Sequence, residues 1–591
     1  MSTDQSGKTY DVVIIGGGPG GSTLAARLAR ELKLSVAVFE SEKFPREHIG
    51  ETLVPSVVTA LQESGALSRV LASDCWIRKS GGYYAWDGVR PWATLFEHEG
   101  HLRDGYLRWA FHVNRAMFDQ ILLDHAADCG VHVRDGTPVL KLVRRDGYTE
   151  VLLPNNEVVR AHICVNASGR YSISTLNGPK EFLSTYKNIA IWGYVRGGRP
   201  AQSLPGDWNV FRERDLSPVG SFAFEDGWFW YIPIPMLIDG KLERVHSLGV
   251  VTAPRALSTK RDYTQMPVFM EAARQVPFLG ELLQDATPVD DQLRTTTNYS
   301  RISDEMCNWP NREIRVGDAA FFVDPLFSTG VHFALQHASA AVLLIKAAYD
   351  AELSDEDKSD LWQDYDQMLR QQANSFALSI DQWYHEIALS HPNSAYWTGL
   401  GGEPTFKMRR ATFHFLVNGS LDEDLLQVIS KGQNRIDALG QDGPWIKTQR
   451  LLASALPEDH VEIRLASDVT VRGGMSLERP LTDSTDEKLD QRPQSFAFGP
   501  YWLDPEAHAH EVAPRFGHYR RCLRFERQNE DKHTHVRFLG DERDRSLIDL
   551  FSRVNTFGKL REELSPRGRT LLERLLVAGM MVGKDGQSLD H

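Results

Sequence analysis

The chain has 591 residues, 42% of them hydrophobic and 25% charged, the composition of a soluble globular protein too long for one core and expected to form two or three domains. Its 79 acidic and 66 basic residues give a net charge of −13 with no dominant basic patch, which argues against nucleic acid as a partner. Five widely spaced cysteines (Cys75, Cys129, Cys164, Cys307, Cys522) form no CxxC pair and read as reduced thiols of a cytoplasmic protein. Neither a signal peptide nor a membrane span is expected.

Tyr10 to Ile15 is a short β-branched run that reads as a buried parallel strand. Gly16-Gly17-Gly18-Pro19-Gly20-Gly21 follows at once, and Ser22 to Glu31 then carries apolar residues at helical spacing. Gly16, Gly18 and Gly21 fit the dinucleotide fingerprint. They supply the tight turn, the close approach of backbone to pyrophosphate and the packing of helix on strand. A second strand, Ser35 to Phe39, ends in Glu40, nineteen residues beyond Gly21, where a carboxylate should meet the ribose hydroxyls. No arginine stands beside Glu40, so FAD or NAD fits better than NADP.

Further along, Lys79 lies in Ile77-Arg78-Lys79-Ser80-Gly81-Gly82-Tyr83. Taken alone it reads as a surface charge beside a Gly-Gly turn. A buried lysine, in contrast, loses its proton readily and can react as a neutral amine. Arg115, in Val113-Asn114-Arg115-Ala116-Met117-Phe118-Asp119, reads by itself as a solvated helix charge. Strand-rich stretches follow at Ile189 to Arg196 and Ser221 to Pro235. Within the second, Gly227-Trp228-Phe229-Trp230-Tyr231-Ile232-Pro233 puts Trp228 and Trp230 on one face and Phe229 and Tyr231 on the other. That pattern suits either a rigid apolar wall, stiffened by Pro233, or an ordinary core strand.

Glu313 to Val316 is another short strand, followed by Gly317-Asp318-Ala319-Ala320 and by Asp324-Pro325-Leu326-Phe327-Ser328-Thr329-Gly330-Val331. Backbone N–H groups of the Ser-Thr-Gly turn could hold an anion, or the turn could be unremarkable. Helical spacing then runs over His332 to Tyr349 and Asp357 to Leu389, with Trp362, Tyr365, Trp383, Tyr384, Tyr396 and Trp397 expected mostly in the core. Arg472 to Ser495, polar and with Gly473-Gly474, reads as a linker or long loop. Beyond it, strands at Arg521 to Phe525 and His535 to Leu539 and helices at Ser546 to Val554 and Arg569 to Met581 suggest a small module. His508/His510 and His533/His535 read as surface histidines, not as metal ligands.

Several of these segments together resemble the flavin-dependent halogenases, within the aromatic-hydroxylase-like flavoproteins. Gly317-Asp318 is similar to their second FAD motif, Arg115 to the arginine over the cofactor, and Asn166-Ala167-Ser168-Gly169-Arg170 to a degenerate middle motif. Gly227 to Pro233 matches the family's WxWxIP segment, and Phe44 to Thr52, including Arg46 and Ile49, matches the strap over the flavin. Lys79 falls where the family keeps its catalytic lysine, and Thr329 and Gly330 where backbone amides hold the halide. The resemblance covers roughly residues 8 to 385, and four separated motifs agree in order. It implies a chemistry in which FADH2, oxygen and chloride or bromide give hypohalous acid. Lys79 then activates that acid, by hydrogen bonding or as a haloamine, while Trp228, Trp230 and Pro233 keep substrate from the flavin.

Tryptophan halogenases carry a glutamate in the halide loop, and here Phe327 stands in its place. The loop is more similar to that of the chloramphenicol-pathway and chondrochloren-type enzymes, which implies a phenol, a pyrrole or an enolisable acyl substrate, free or on a carrier protein. No second nucleotide fingerprint appears, so a separate flavin reductase is the expected source of FADH2. The expected architecture is α/β. It comprises a Rossmann-like FAD-binding core interleaved with a substrate-side sheet (1–385), a helical extension and linker (386–495), and a small α+β module of winged-helix-like kind (496–591). An aromatic hydroxylase or alkene reductase on the same scaffold is the alternative. For the C-terminal module, the alternative is binding of a carrier protein or other partner.

Overall fold

The computed structural model describes residues 7–86, 91–96, 109–170, 180–182, 187–203, 211, 217–257, 261–297, 299–397, 457–477, 519–529, 532–538, 545–577 and 579–587. Its first layer grows from the apolar run at the start of the chain. Strand Thr9–Ile15 pairs in parallel with Val36–Phe39 on one side and Val158–Asn166 on the other. His132–Arg134 and Glu313–Arg315 extend the sheet outward, again in parallel. Val12, Val13 and Ile14 are fully buried, as strands covered on both faces require. Helix Pro19–Leu32 packs over the sheet and meets helix Gly330–Ala348 so closely that a Cβ at Gly20 would sit 3.1 Å from Ala334 O.

A second, nine-stranded sheet carries Trp228 and Trp230. Strand Gly227–Ile238 runs antiparallel to Lys241–Thr252 and to Ser217–Phe224. Ser217–Phe224 lies parallel to Trp76–Ala85, whose first half pairs antiparallel with Ala110–Val113. The register slips once: Ser217 faces Lys79, but Pro218 faces Gly81. Ser80 is thus an extra residue, and such a bulge re-aims the side chains on one side of it. Beyond the bulge Tyr84 lies in the same core cluster as Trp228 and Trp230, and Tyr83 in the cluster of Phe229 and Tyr231.

Helix Gly330–Ala348 is long and apolar enough to cross a membrane by composition, but 78% of its apolar window is buried, the signature of a core helix. Helix Asp355–Ser390 starts at a capping box, with Ser354 and Asp357 each satisfying the other's backbone N–H. Strand Val469–Ser476 lies against this helix and pairs antiparallel with Arg520–Asn529, which pairs in turn with Lys532–Phe538. The expectation of a loop from Arg472 is corrected at its start, since Arg472 to Ser476 is strand, and 478–495 lies outside the described residues. Nor is His535 a surface histidine. It is 6% exposed, with Nε2 3.1 Å from Asp364 Oδ1. His508 and His510 lie outside the described residues.

Candidate functional site

The glycine turn has the shape a dinucleotide needs, and each glycine is required for a different reason. Gly16 has φ +106°, and a Cβ there would strike Ala167 O. A Cβ on Gly21 would strike Gly16 O, where the helix leaves the strand. At Gly18 the room is open: a Cβ would meet only Arg46 Nη2, at 3.6 Å. Gly18 is the N-cap of helix Pro19–Leu32, so free N–H groups and the positive end of the dipole face that space. Glu40, 6% exposed, accepts from Gly17 N at 2.7 Å and from Glu42 N at 2.9 Å, which fixes its carboxylate beside the turn.

Arg115 closes the other side. It donates to both Asp119 oxygens (2.7 and 2.9 Å) and through Nη1 to Ile49 O (2.7 Å), tying the strap to helix Arg115–Asp128. Burial works to lower its pKa, but Asp119, with Asp318 and Glu51 beyond, raises it. Arg46 stacks on Phe44 and reaches Asp119 at 3.4 Å. Gly16, Gly18, Gly21, Glu40, Arg46, Ile49 and Arg115 are thus linked through the glycine turn and the Arg46–Asp119–Arg115–Ile49 contacts, with Asp318 close enough to feel the Arg115 charge. Gly317 donates its N–H to His337 Nδ1 and is held at φ +63°. These residues fit FAD.

Lys79 lies elsewhere and is 1% exposed, so it is no surface charge. Its Nζ donates to Leu53 O at 2.9 Å and lies 5.8 Å from the centre of the Phe96 ring. Burial lowers its pKa from 10.5 to about 7, so amine and ammonium are both populated near neutrality. No hydrogen bond or ion pair joins it to the nucleotide residues among the described residues.

Strand Gly227–Ile238 and the loop before helix Gly330–Ala348 are joined. Trp228 Nε1 donates to Tyr384 Oη (3.1 Å), and Tyr384 Oη donates to Asp324 Oδ1 (2.9 Å), which also accepts from Leu326 N (3.0 Å). Trp230 Nε1 donates to Ser247 Oγ at 3.1 Å, and its ring lies over Gly249, the facing residue, where any Cβ would collide with it. Pro233 falls in the opposite alternation and lines a small cavity with Tyr231, Arg244 and His246. Ser328, at φ +60°, turns the chain into helix Gly330–Ala348, with Thr329 as its buried N-cap. The first N–H groups of that helix have no intrahelical acceptor, a setting that favours an anion. Phe327 is 2% exposed and packs edge-on against Phe376.

Three residues of this region escape a reading of the sequence. Tyr384 looks like one more core aromatic. Glu51 sits inside the strap motif, 2% exposed, and burial pushes its carboxyl up to about 7, with Ser247, Tyr194 and Arg115 only partly offsetting. His112, fully buried, betrays itself only as a lone imidazole in the apolar strand Ala110–Val113.

The chain matches the tryptophan halogenase family over residues 11–105 and 97–404. It is 32% identical over 369 residues to a flavin-dependent halogenase of Armillaria mellea, covering 57% of this chain and 65% of that relative. It is 31% identical over 432 residues to the 1H-pyrrole-2-carbonyl-[peptidyl-carrier protein] chlorinase of Pseudomonas fluorescens Pf-5, covering 68% of this chain and 87% of the relative. Among solved structures, the myxobacterial chondrochloren halogenase CndH is 28% identical, with TM-score 0.57 over 71% of this chain and 91% of CndH. The flavin-dependent halogenase CmlS is 20% identical and shares the fold, with TM-score 0.63 over 99% of this chain and 98% of its own.

Proposed function

The chain belongs to the flavin-dependent halogenases, a family of FADH2-dependent oxidoreductases that use FAD and halide, and on that premise we propose that it halogenates an electron-rich phenol, a pyrrole or an enolisable acyl group at a site set by Lys79. Bound FAD, once reduced, supplies with oxygen the oxidising power that turns chloride or bromide into hypohalous acid. Gly16, Gly18, Gly21, Glu40, Arg46, Ile49, Arg115, Gly317 and Asp318 hold the cofactor. The N–H groups of Thr329 and Gly330 hold the halide. Trp228 and Trp230 keep substrate off the flavin, and Pro233 stiffens their strand. Lys79 orients hypohalous acid by hydrogen bonding and directs the halogen to one carbon. A separate reductase delivers FADH2, and the carrier-bound substrate of the Pseudomonas relative supports a carrier-bound substrate here.

The observation that carries this reading is the burial of Lys79, whose Nζ donates to Leu53 O and whose pKa burial lowers to about 7. A hydroxylase, which brings substrate to the flavin, has no use for such an amine. The test incubates the protein with FAD, a generic flavin reductase and chloride or bromide, against phenols, pyrroles and acyl thioesters, with mass spectrometry for the halogen isotope pattern. Oxygenated products without halogen from every probe would refute it.

A further inference from the structure

Lys79 and His112 pass each other on one face of the nine-stranded sheet. Lys79 pairs with Ala110, and Ile77 with His112, so strand alternation puts all four on the same side. The Lys79 amine reaches Leu53 O, and Leu53 N in turn donates to Phe111 O. Its side chain therefore crosses over strand Ala110–Val113. The His112 ring reaches the other way: Nε2 lies 3.3 Å from Ser217 O, and Ser217 is the residue that faces Lys79 from the far side. Diagonal neighbours on adjacent strands lie about 7 Å apart at Cα, so the two side chains run side by side, and the Lys79 charge acts on the His112 ring.

A carbonyl only accepts, so Nε2 carries the ring proton and Nδ1 is left as an acceptor. Nδ1 is buried and has no hydrogen-bond partner, as is Thr52 Oγ1, whose residue bridges to His112. A native core rarely leaves such atoms unpaired, and here both belong to segments beside the strand that the Lys79 side chain crosses. Burial, with Lys79, Arg244 and His246 nearby, holds the imidazole well below its ordinary pKa and therefore neutral.

We propose that His112 is a catalytic base of the halogen transfer, its Nδ1 taking the proton that the substrate carbon loses. The proposal rests on the halogenase reading above. The substrate's π electrons form the carbon–halogen bond as the halogen–oxygen bond breaks, so carbon is oxidised and halogen reduced. The oxygen leaves with the bonding pair and takes a proton from the Lys79 ammonium as water. The cationic carbon then gives its proton to His112, and return of that proton to Lys79 restores both groups. A cationic ring carbon is a strong acid, so a weak neutral base suffices. This base stands in for the loop carboxylate that Phe327 replaces.

His112→Gln keeps a donor for Ser217 O and a similar volume but accepts no proton. With FAD-loaded protein, the reductase and bromide, hypohalous acid is trapped by monochlorodimedone. Product is followed on a phenol or pyrrole probe and its ring-deuterated form. H112Q is expected to bind FAD and release hypohalous acid within about twofold of the unmutated protein, while product falls by about 100-fold. Ring deuterium should slow the variant and leave the unmutated enzyme unchanged, because proton loss becomes limiting only without the base. Unchanged product formation would overturn the proposal, as would loss of product in parallel with hypohalous acid. If H112Q misfolds by thermal melting, His112→Asn takes its place, and failure of both to fold makes His112 structural. If the unmutated protein yields no hypohalous acid, the halogenase reading itself fails, and that outcome is visible separately.

Discussion

Burial works against Lys79, and its pKa says by how much. The folded state holds the Lys79 proton less tightly than the unfolded chain, with a value of about 7 against 10.5. Stability is therefore lowest below pH 7 and climbs as pH rises from about 7 towards 10.5, where both states carry a neutral amine. Lys79→Met removes the charge at similar length. At pH 6 it should stabilise the fold by on the order of 3 kcal/mol, after allowing for the lost bond to Leu53 O, and the gain should fade by pH 10. Melting curves across that range test it, and a variant less stable at pH 6 would show that the ammonium is held favourably. In the same position Lys79→Ala and Lys79→Arg should abolish halogenated product while FAD binding and hypohalous acid persist, the second because a guanidinium stays protonated. Glu51 behaves oppositely. Its carboxyl is raised from 4.5 to about 7, so its contribution is fully present below about pH 4.5 and lost as pH rises through 7. Glu51→Gln should flatten the stability profile between pH 5 and 8.

The glycine turn separates ligand binding from folding within one element. Gly18→Val should leave the melting temperature nearly unchanged, since only the end of Arg46 lies in its way, yet abolish FAD uptake by filling the phosphate position. Gly21→Ala should destabilise the fold instead, because its Cβ meets the Gly16 carbonyl. Flavin fluorescence and thermal melting on both variants decide between these outcomes; retained FAD affinity in Gly18→Val would sink the assignment. This turn was legible in the sequence because strand, turn, helix and Glu40 lie within one local run. The burial of Lys79 was not, since it depends on an extra residue at Ser80 and on Leu53 and Ala110 packing from distant segments. Tyr384 was hidden for a similar reason: its acceptor, Asp324, is 60 positions away. Arg472 to Ser476 looked like a loop because the strand carries few apolar residues. Gly474 there makes room for charges, as a Cβ would meet Asp360 and Arg524.

Those charges join the end of the chain to its core. Asp360 and Asp364 stand one turn apart on helix Asp355–Ser390, about 6 Å along its axis. They accept from Met475 N (3.2 Å) and Leu477 N (3.1 Å), two residues apart on an extended segment, which spans about 6.6 Å. The two periodicities match, so the backbone lies along the helix. Arg524, fully buried, completes the contact: Nη1 donates to Asp364 Oδ1 (2.9 Å) and Met475 O (3.0 Å), and Nε to Glu526 Oε1 (3.1 Å). Arg472 adds bonds to Asp360 (2.5 Å) and Glu526 (2.8 Å). Arg472 and Arg524 thus face Asp360, Asp364 and Glu526, with Glu356 also 3.4 Å from Arg472, and removing Arg524 leaves the buried Asp360 and Asp364 further uncompensated. Arg524→Met should destabilise the protein by about 3–5 kcal/mol. It should also open Val469–Ser476 to limited proteolysis before the FAD core unfolds. If the C-terminal strands serve chiefly to recognise a carrier protein, the same variant should keep activity on a small free substrate and lose it on a carrier-bound one. Equal loss on both would make the docked strands a support for helix Asp355–Ser390, which holds Tyr384 and through it the wall, and would remove the case for a separate binding module.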